Sequence, residues 1–275
     1  MIARRLGLSA GYAALIGWTL FVAVPLLFMF ISSFKTHGEF LRAPLALPDG
    51  VQLENYRVAL FESSLGGSLI NSVVVTVAAL ALICTLSMMA GYALSRHTFP
   101  GNKVVLIGLV AMLAMPVHAL VVPVYYFMEE LGMRNSLIGL TLLYTAFGLP
   151  ISIIIMRAYF ENLPRAVEEA AMVDGCGKFG VFGHVAVPLA KASLATIAII
   201  NVVGLWSEYL FSSVLMTAPG SRTLPVDIAM LGTGQGGADF GLRFAGLSLA
   251  TIPLLILYLV FSERIMKGIT AGAVK

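Results

Sequence analysis

Six stretches of the chain carry no Asp, Glu, Lys or Arg: 6–34, 63–95, 104–128, 135–156, 192–207 resuming past Glu208 to 221, and 244–262. Each can supply the roughly 20 helical residues that cross a hydrocarbon core. The runs are continuous rather than alternating, which argues against barrel strands. The pattern predicts an all-α integral membrane protein with six transmembrane helices, at approximately 10–34, 66–94, 104–128, 136–157, 192–217 and 244–263. Residues 1–275 form a single domain in this reading, with no internal repeat and no separable soluble part.

The longest charge-bearing insertion lies between the fourth and fifth runs, Pro164 to Pro188 within a loop over 161–188. Pro164 can open a helix, because its missing N–H costs nothing at the first helical position. Gly175 can close it in the left-handed conformation. A helix of about 11 residues, roughly 16 Å long, is predicted between them. At 100° per residue Ala166, Val167, Ala170, Ala171 and Val173 share one side, and Arg165, Glu168 and Glu169 the other. The apolar side is nearly all small, a surface shaped for close approach to a partner.

Composition agrees with the pattern. Hydrophobic residues make up 59% of the 275 and charged residues 11%, with mean hydropathy +0.94. A soluble domain carries about 25% charged residues. The first run is far longer than the ~7–15 residues of a signal-peptide core, so it predicts a retained span with the amino terminus inside. In that orientation Arg4, Arg5, Arg96, Lys103, Arg157, Arg165, Lys178, Lys191, Arg264, Lys267 and Lys275 lie on the cytoplasmic side. Lys35, Arg42, Arg57, Arg134, Arg222 and Arg243 lie outside. Basic residues favour the cytoplasmic side, which places both termini and the 161–188 loop there. The net charge of +3 follows from this asymmetry and calls for no nucleic acid. Cys84 and Cys176 fall in separate elements, with no metal-ligand cluster around them and no disulfide framework implied.

Several short motifs punctuate the spans. Asn55-Tyr56 and Asn71-Ser72 flank the entry to the second span, where helix capping is one role for them. Phe99-Pro100-Gly101 makes a tight turn after it. Prolines 116, 123 and 150 sit inside spans and can kink them. His118, between two of these, reads as a packing residue rather than a proton carrier. Trp206-Ser207-Glu208-Tyr209 interrupts the fifth run, Thr223-Leu224-Pro225 follows, and Gly232 to Gly237 forms a glycine-rich run that is no phosphate cradle. The chain ends Gly268-Ile269-Thr270-Ala271-Gly272-Ala273-Val274-Lys275.

The spacing Glu169-Ala170-Ala171, three residues, Gly175, nine residues, Val185, one residue, Val187-Pro188 resembles the EAA loop of ATP-binding-cassette importer permeases, with valine at both hydrophobic positions. The motifs from Asn55-Tyr56 through Trp206-Ser207-Glu208-Tyr209 to the tail resemble the carbohydrate-uptake branch, in particular the smaller six-span partner of maltose-permease type. Ser207 stands where that branch has asparagine.

The resemblance implies a permease subunit of a binding-protein-dependent importer in a bacterial or archaeal cytoplasmic membrane. It implies a second homologous permease, two cytoplasmic ATPase subunits, an extracytoplasmic solute-binding protein and a sugar or related polyol. A non-sugar solute is the alternative, and an ion-coupled secondary transporter a more distant one. It also makes the 161–188 helix a cytoplasmic coupling helix between spans 4 and 5, with Glu168, Glu169, Ala170, Ala171, Asp174, Gly175 and Pro188 meeting the ATPase. No G-x-x-x-x-G-K-[ST] exists: Gly177-Lys178 runs into Phe179. ATP and Mg are therefore expected on the partner, with no cofactor, metal or catalytic residue on this chain. Trp206, Ser207, Glu208 and Tyr209 are candidates for a solute path or gate. Packing between two permeases, or anchoring at the lipid interface, would explain the same residues.

Overall fold

A computed structural model describes residues 2–231 and 239–273, with side chains over 11–231 and 239–259. The glycine-rich run at 232–237 and the side chains of the 268–275 tail lie outside the described residues. Every regular element among those described is helical: α1 (Ile2–Ser32), α2 (Leu65–Arg96), α3 (Asn102–Ala114), α4 (Val121–Glu130), α5 (Leu137–Asn162), α6 (Arg165–Val173), α7 (Lys191–Trp206), α8 (Leu210–Leu215), α9 (Leu224–Met230) and α10 (Phe240–Ala273), joined by short helical turns and loops.

Among the described residues, four helices are long and apolar enough to cross a membrane: Gly11–Ser32, Leu65–Arg96, Leu137–Asn162 and Phe240–Leu259. Two bent pairs reach that length only together, so the count rises to six if each pair is one span. The pairs are Asn102–Ala114 with Val117–Glu130, bent by 93°, and Lys178–Leu189 with Lys191–Trp206, bent by 65°.

The expected continuous helix at 104–128 is thus broken. Met115 is extended at φ −75°, ψ 131°, as a residue before proline tends to be. Pro123 does not bend anything. It falls in the first turn of α4, where no intrahelical bond needs its N–H. Pro150 sits inside the uninterrupted α5. The expected helix at 192–217 also breaks: α7 stops at Trp206 and α8 starts at Leu210.

The described residues pack as two compact units. In residues 1–67 with 227–253, Phe28 and Phe40 pack on Phe240 and Phe244. Lys35 is buried, its Nζ donating to the carbonyls of Ala43 (3.2 Å) and Pro44 (2.7 Å). Asn55 does not cap a helix: its Nδ2 donates to the carbonyls of Ser33 (2.8 Å) and Lys35 (2.9 Å), and Tyr56 bonds Ser33 Oγ at 2.7 Å. Together they staple the loop back onto the end of α1.

In residues 68–226 with 254–275, two apolar clusters share α2 and α5. One gathers Val75, Ala79, Leu140, Tyr144 and Phe211, the other Ile83, Met156, Phe160 and Ile197. Glycines allow the close approach, as small residues do between membrane helices. A Cβ on Gly91 would meet Met156 Cβ at 2.7 Å, and one on Gly148 would meet Asn201 Oδ1 at 2.6 Å. Asn71 and Ser72 lie inside α2. Asn71 Nδ2 donates to the carbonyls of Gly220 (2.8 Å) and Arg222 (3.0 Å). Ser72 Oγ accepts the first N–H of α9, Leu224, at 2.8 Å.

Candidate functional site

The helix α6 is nine residues long, with Pro164 one position outside it as the N-cap. Its end follows from Gly175, whose φ of +92° places it in the left-handed region. Gly175 N–H then reaches the Met172 carbonyl (3.1 Å) and Cys176 N–H the Ala171 carbonyl (2.9 Å). These two bonds satisfy carbonyls that a helix end otherwise orphans.

Ala166, Val167, Ala170 and Val173 are exposed, as are Glu169, Asp174 and Gly175; Ala171 is half-buried. Val173 is 88% and nearby Phe179 93% exposed, so an apolar surface stands uncovered by the other described residues. Pro188 is exposed in the turn Val187–Leu189 that leads into α7.

Glu168 departs from the wheel. It is buried, and its Oε1 accepts from Arg96 Nε at 2.8 Å. Tyr92 Oη donates to Oε2 at 3.4 Å, and Arg96 also donates to the Leu163 carbonyl at 2.8 Å. Side-chain exposure is 7% for Arg96 and 10% for Glu168. Glu168 therefore fastens α6 to the end of α2 instead of sharing an exposed face with Glu169. A cavity of about 280 Å³ opens beside the pair, lined also by Arg165, Glu169 and Lys178. None of these three forms an ion pair among the described residues.

The second candidate stretch is the break between α7 and α8. Ser207 Oγ donates back to the Val203 carbonyl at 2.7 Å. The Glu208 carboxylate covers the start of α8: Oε1 accepts from Phe211 N–H at 2.7 Å and Oε2 from Ser212 N–H at 3.0 Å. Oε2 accepts as well from Tyr144 Oη at 2.5 Å. A carboxylate is stabilised at a helix N-terminus by the unpaired N–H groups there. The network continues through Ser212 Oγ to Thr223 Oγ1 at 3.0 Å, which ties the motif in the fifth run to the Thr-Leu-Pro turn.

A cavity of about 300 Å³ lies beside this break, with His118, Tyr144, Gly148, Asn201, Glu208 and Phe211 in its wall. Of the four residues singled out in the sequence, Glu208 alone lines it. Trp206 is buried, and Ser207 and Tyr209 are exposed away from that wall. Tyr144 and Asn201 were missed. Asn201 is the one amide side chain in the run 192–207, and a polar group there is a signal worth following. Among the described residues no group of three His, Cys, Asp or Glu could hold a metal ion.

Residues 83–270 match the family of binding-protein-dependent transport system inner membrane components. The chain belongs to that family. It is a multi-pass membrane component of a transport system, not an enzyme. A diacetylchitobiose uptake system permease protein of Streptomyces coelicolor is 36% identical over 96% of this chain and 88% of its own. A trehalose/maltose transport system permease protein of Thermococcus litoralis is 32% identical over 91% of each. The fold matches a chain of a bacterial ABC transporter involved in the import of the acidic polysaccharide alginate, with TM-score 0.84, 23% identity, and 96% of this chain and 98% of that one covered.

Proposed function

We propose that this family member is one of two homologous permeases in an ATP-driven importer of a sugar or related polyol. It contributes six spans, the third made of the bent pair α3 and α4 and the fifth beginning at α7, with both termini in the cytoplasm. The helix α6 is the coupling helix. A cytoplasmic ATPase docks on its uncovered small-residue side through Ala170, Ala171, Glu169, Asp174 and Gly175, with Pro188 setting the turn that follows. Two ATPase subunits hold ATP and Mg, and an extracytoplasmic binding protein delivers the solute.

One observation carries this reading: α6 exposes Ala166, Val167, Ala170 and Val173 while Glu168 grips Arg96. A surface helix with nothing to dock on it would bury that side and solvate the carboxylate. The sugar reading draws support from relatives that carry diacetylchitobiose and trehalose/maltose.

ATP binding closes the ATPase pair, and the pull on α6 passes to α2 through the Arg96–Glu168 pair. ATP must bind one arrangement of the spans more tightly than the other for this to drive transport. The test is ATP hydrolysis by the reconstituted complex in proteoliposomes. Stimulation that requires both a sugar and the binding protein is the expected result. Hydrolysis indifferent to both, with all subunits assembled, would refute the proposal.

A further inference from the structure

The wall of the cavity beside the α7–α8 break can be read by counting donors and acceptors. Both Glu208 oxygens are taken by Phe211 N–H, Ser212 N–H and Tyr144 Oη, and the Tyr144 proton is spent on that carboxylate. Asn201 differs. It is 7% exposed, and its amide nitrogen gives both protons away, to Ser152 Oγ at 2.9 Å and to the Ile197 carbonyl at 2.9 Å. A carbonyl can only accept, so Ile197 fixes which end of the amide faces it. The oxygen is turned the other way, over Gly148, and both residues line the cavity. No protein donor among the described residues reaches Asn201 Oδ1. The oxygen opens on the cavity and keeps its acceptor capacity for a group that enters there.

We infer that Asn201 Oδ1 is a fixed acceptor for a hydroxyl group of the transported solute, in a cavity whose remaining wall is chiefly apolar. The inference rests on the reading of this chain as part of a solute path. The chemistry it selects is a neutral, hydroxyl-bearing ring. Its hydroxyl proton meets Oδ1, and its C–H faces lie against Phe147 and Phe211, whose rings stand 5.0 Å apart in the same wall. An ionised carboxylate or phosphate brings no proton and would face both an amide oxygen and the Glu208 carboxylate. The volume of about 300 Å³ is at the small end for ligand pockets, which suits one ring and not an oligosaccharide lying whole.

The test uses the reconstituted complex with its binding protein and radiolabelled maltose, trehalose and diacetylchitobiose, then monodeoxy analogues of whichever is taken up. Wild-type transport should discriminate about tenfold against the analogue that lacks the hydroxyl meeting Oδ1, the worth of one such bond. In Asn201→Leu that discrimination should vanish, because the acceptor is gone while shape is kept. Ser152→Ala should keep most of it, since Ile197 still orients the amide. If Asn201→Leu does not assemble, thiol labelling of Asn201→Cys, with Cys84→Ser and Cys176→Ser, provides the second measurement, and the transported sugar should slow it. Equal discrimination in wild type and Asn201→Leu, or labelling indifferent to sugar, overturns the assignment. Failure of the wild-type complex to move any of the sugars would instead count against the sugar-importer reading itself.

Discussion

Glu168 is held by a cation, whereas Glu208 is held by two backbone N–H groups and a phenol. Each has a tyrosine beside it, but Tyr92 stands 3.4 Å from Glu168 and Tyr144 2.5 Å from Glu208. The difference follows from what else is present. Arg96 neutralises Glu168, so Tyr92 adds little. No cation lies within ion-pair distance of Glu208 among the described residues. Its charge is dispersed instead over the start of α8 and the short bond to Tyr144. The first arrangement locks two elements together, since losing one partner strands a buried charge. The second stabilises a break in a helix, because the carboxylate takes over N–H groups that lost their partners. In both places the open chemistry belongs to a neighbour: Glu169 beside the ion pair, Asn201 beside the break.

The largest effect on ATPase capture is expected on the proposed docking side of α6, beside Glu168. Ala170→Trp puts a large ring on the uncovered side of α6 and should reduce ATPase capture in pull-down by more than about tenfold, a loss of at least ~1.4 kcal/mol. Membrane insertion should be unchanged. Wild-type capture would place the docking surface elsewhere.

Next comes the ion pair. Glu168→Ala should destabilise the permease by about 3–5 kcal/mol, and Glu168→Met with Arg96→Met should recover most of it. Thermal unfolding in detergent measures both. A double variant as unstable as the single one would mean that the pair does more than neutralise itself.

Glu208→Ala leaves the start of α8 and the Tyr144 hydroxyl without an acceptor, a loss of about 1.5–3 kcal/mol for a hydrogen-bonded charge. Tyr144→Phe should lose less. If the two cost the same, Tyr144 and not the helix N-terminus is the chief partner. Gly175→Ala, at φ +92°, should cost about 1–2 kcal/mol of strain and weaken ATPase capture in proportion.

The smallest effect is reserved for a third carboxylate, Glu39, which also covers a helix start but at the surface. Its carboxylate accepts from Thr36 N–H at 2.6 Å while Thr36 Oγ1 accepts from Glu39 N–H at 3.2 Å. The Thr36 backbone bond holds the Glu39 carboxyl below its ordinary range. A lowered folded-state value means the contribution is present above the unfolded value and fades as pH falls through the folded one. Glu39→Gln should remove that acid-side dependence and leave transport untouched. A transport defect would show that burial is not what separates Glu39 from the other two.

Much of this was legible in the chain alone, and particular residues show why. The apolar runs stand out because a charge inside hydrocarbon is expensive wherever it falls, so composition suffices without knowing any contact. Gly175 was readable as a helix end because its conformation is a local backbone property. The motif spacing around Glu169 was readable because it is a matter of counting. Glu168 was misjudged by its position on the wheel. The wheel describes α6 by itself, and Arg96, 72 residues earlier, decides which side turns inward.

The sequence by itself determined that this is a membrane-embedded helical chain, where its apolar segments lie, and the local chemistry of the 164–188 insertion. Tertiary structure alone decided the rest. Pro116 marks a 93° bend and Pro123, seven residues on, none, because the effect of a missing N–H depends on where a helix starts. Glu208 marks a break and not a span interior because Tyr144, 64 residues away, helps to hold its charge. Asn201 offers its oxygen because Ser152 and Ile197 have claimed its nitrogen. Hydrogen-bond capacity is fixed by residue type, but what remains of it after folding depends on neighbours that only the packed chain brings together.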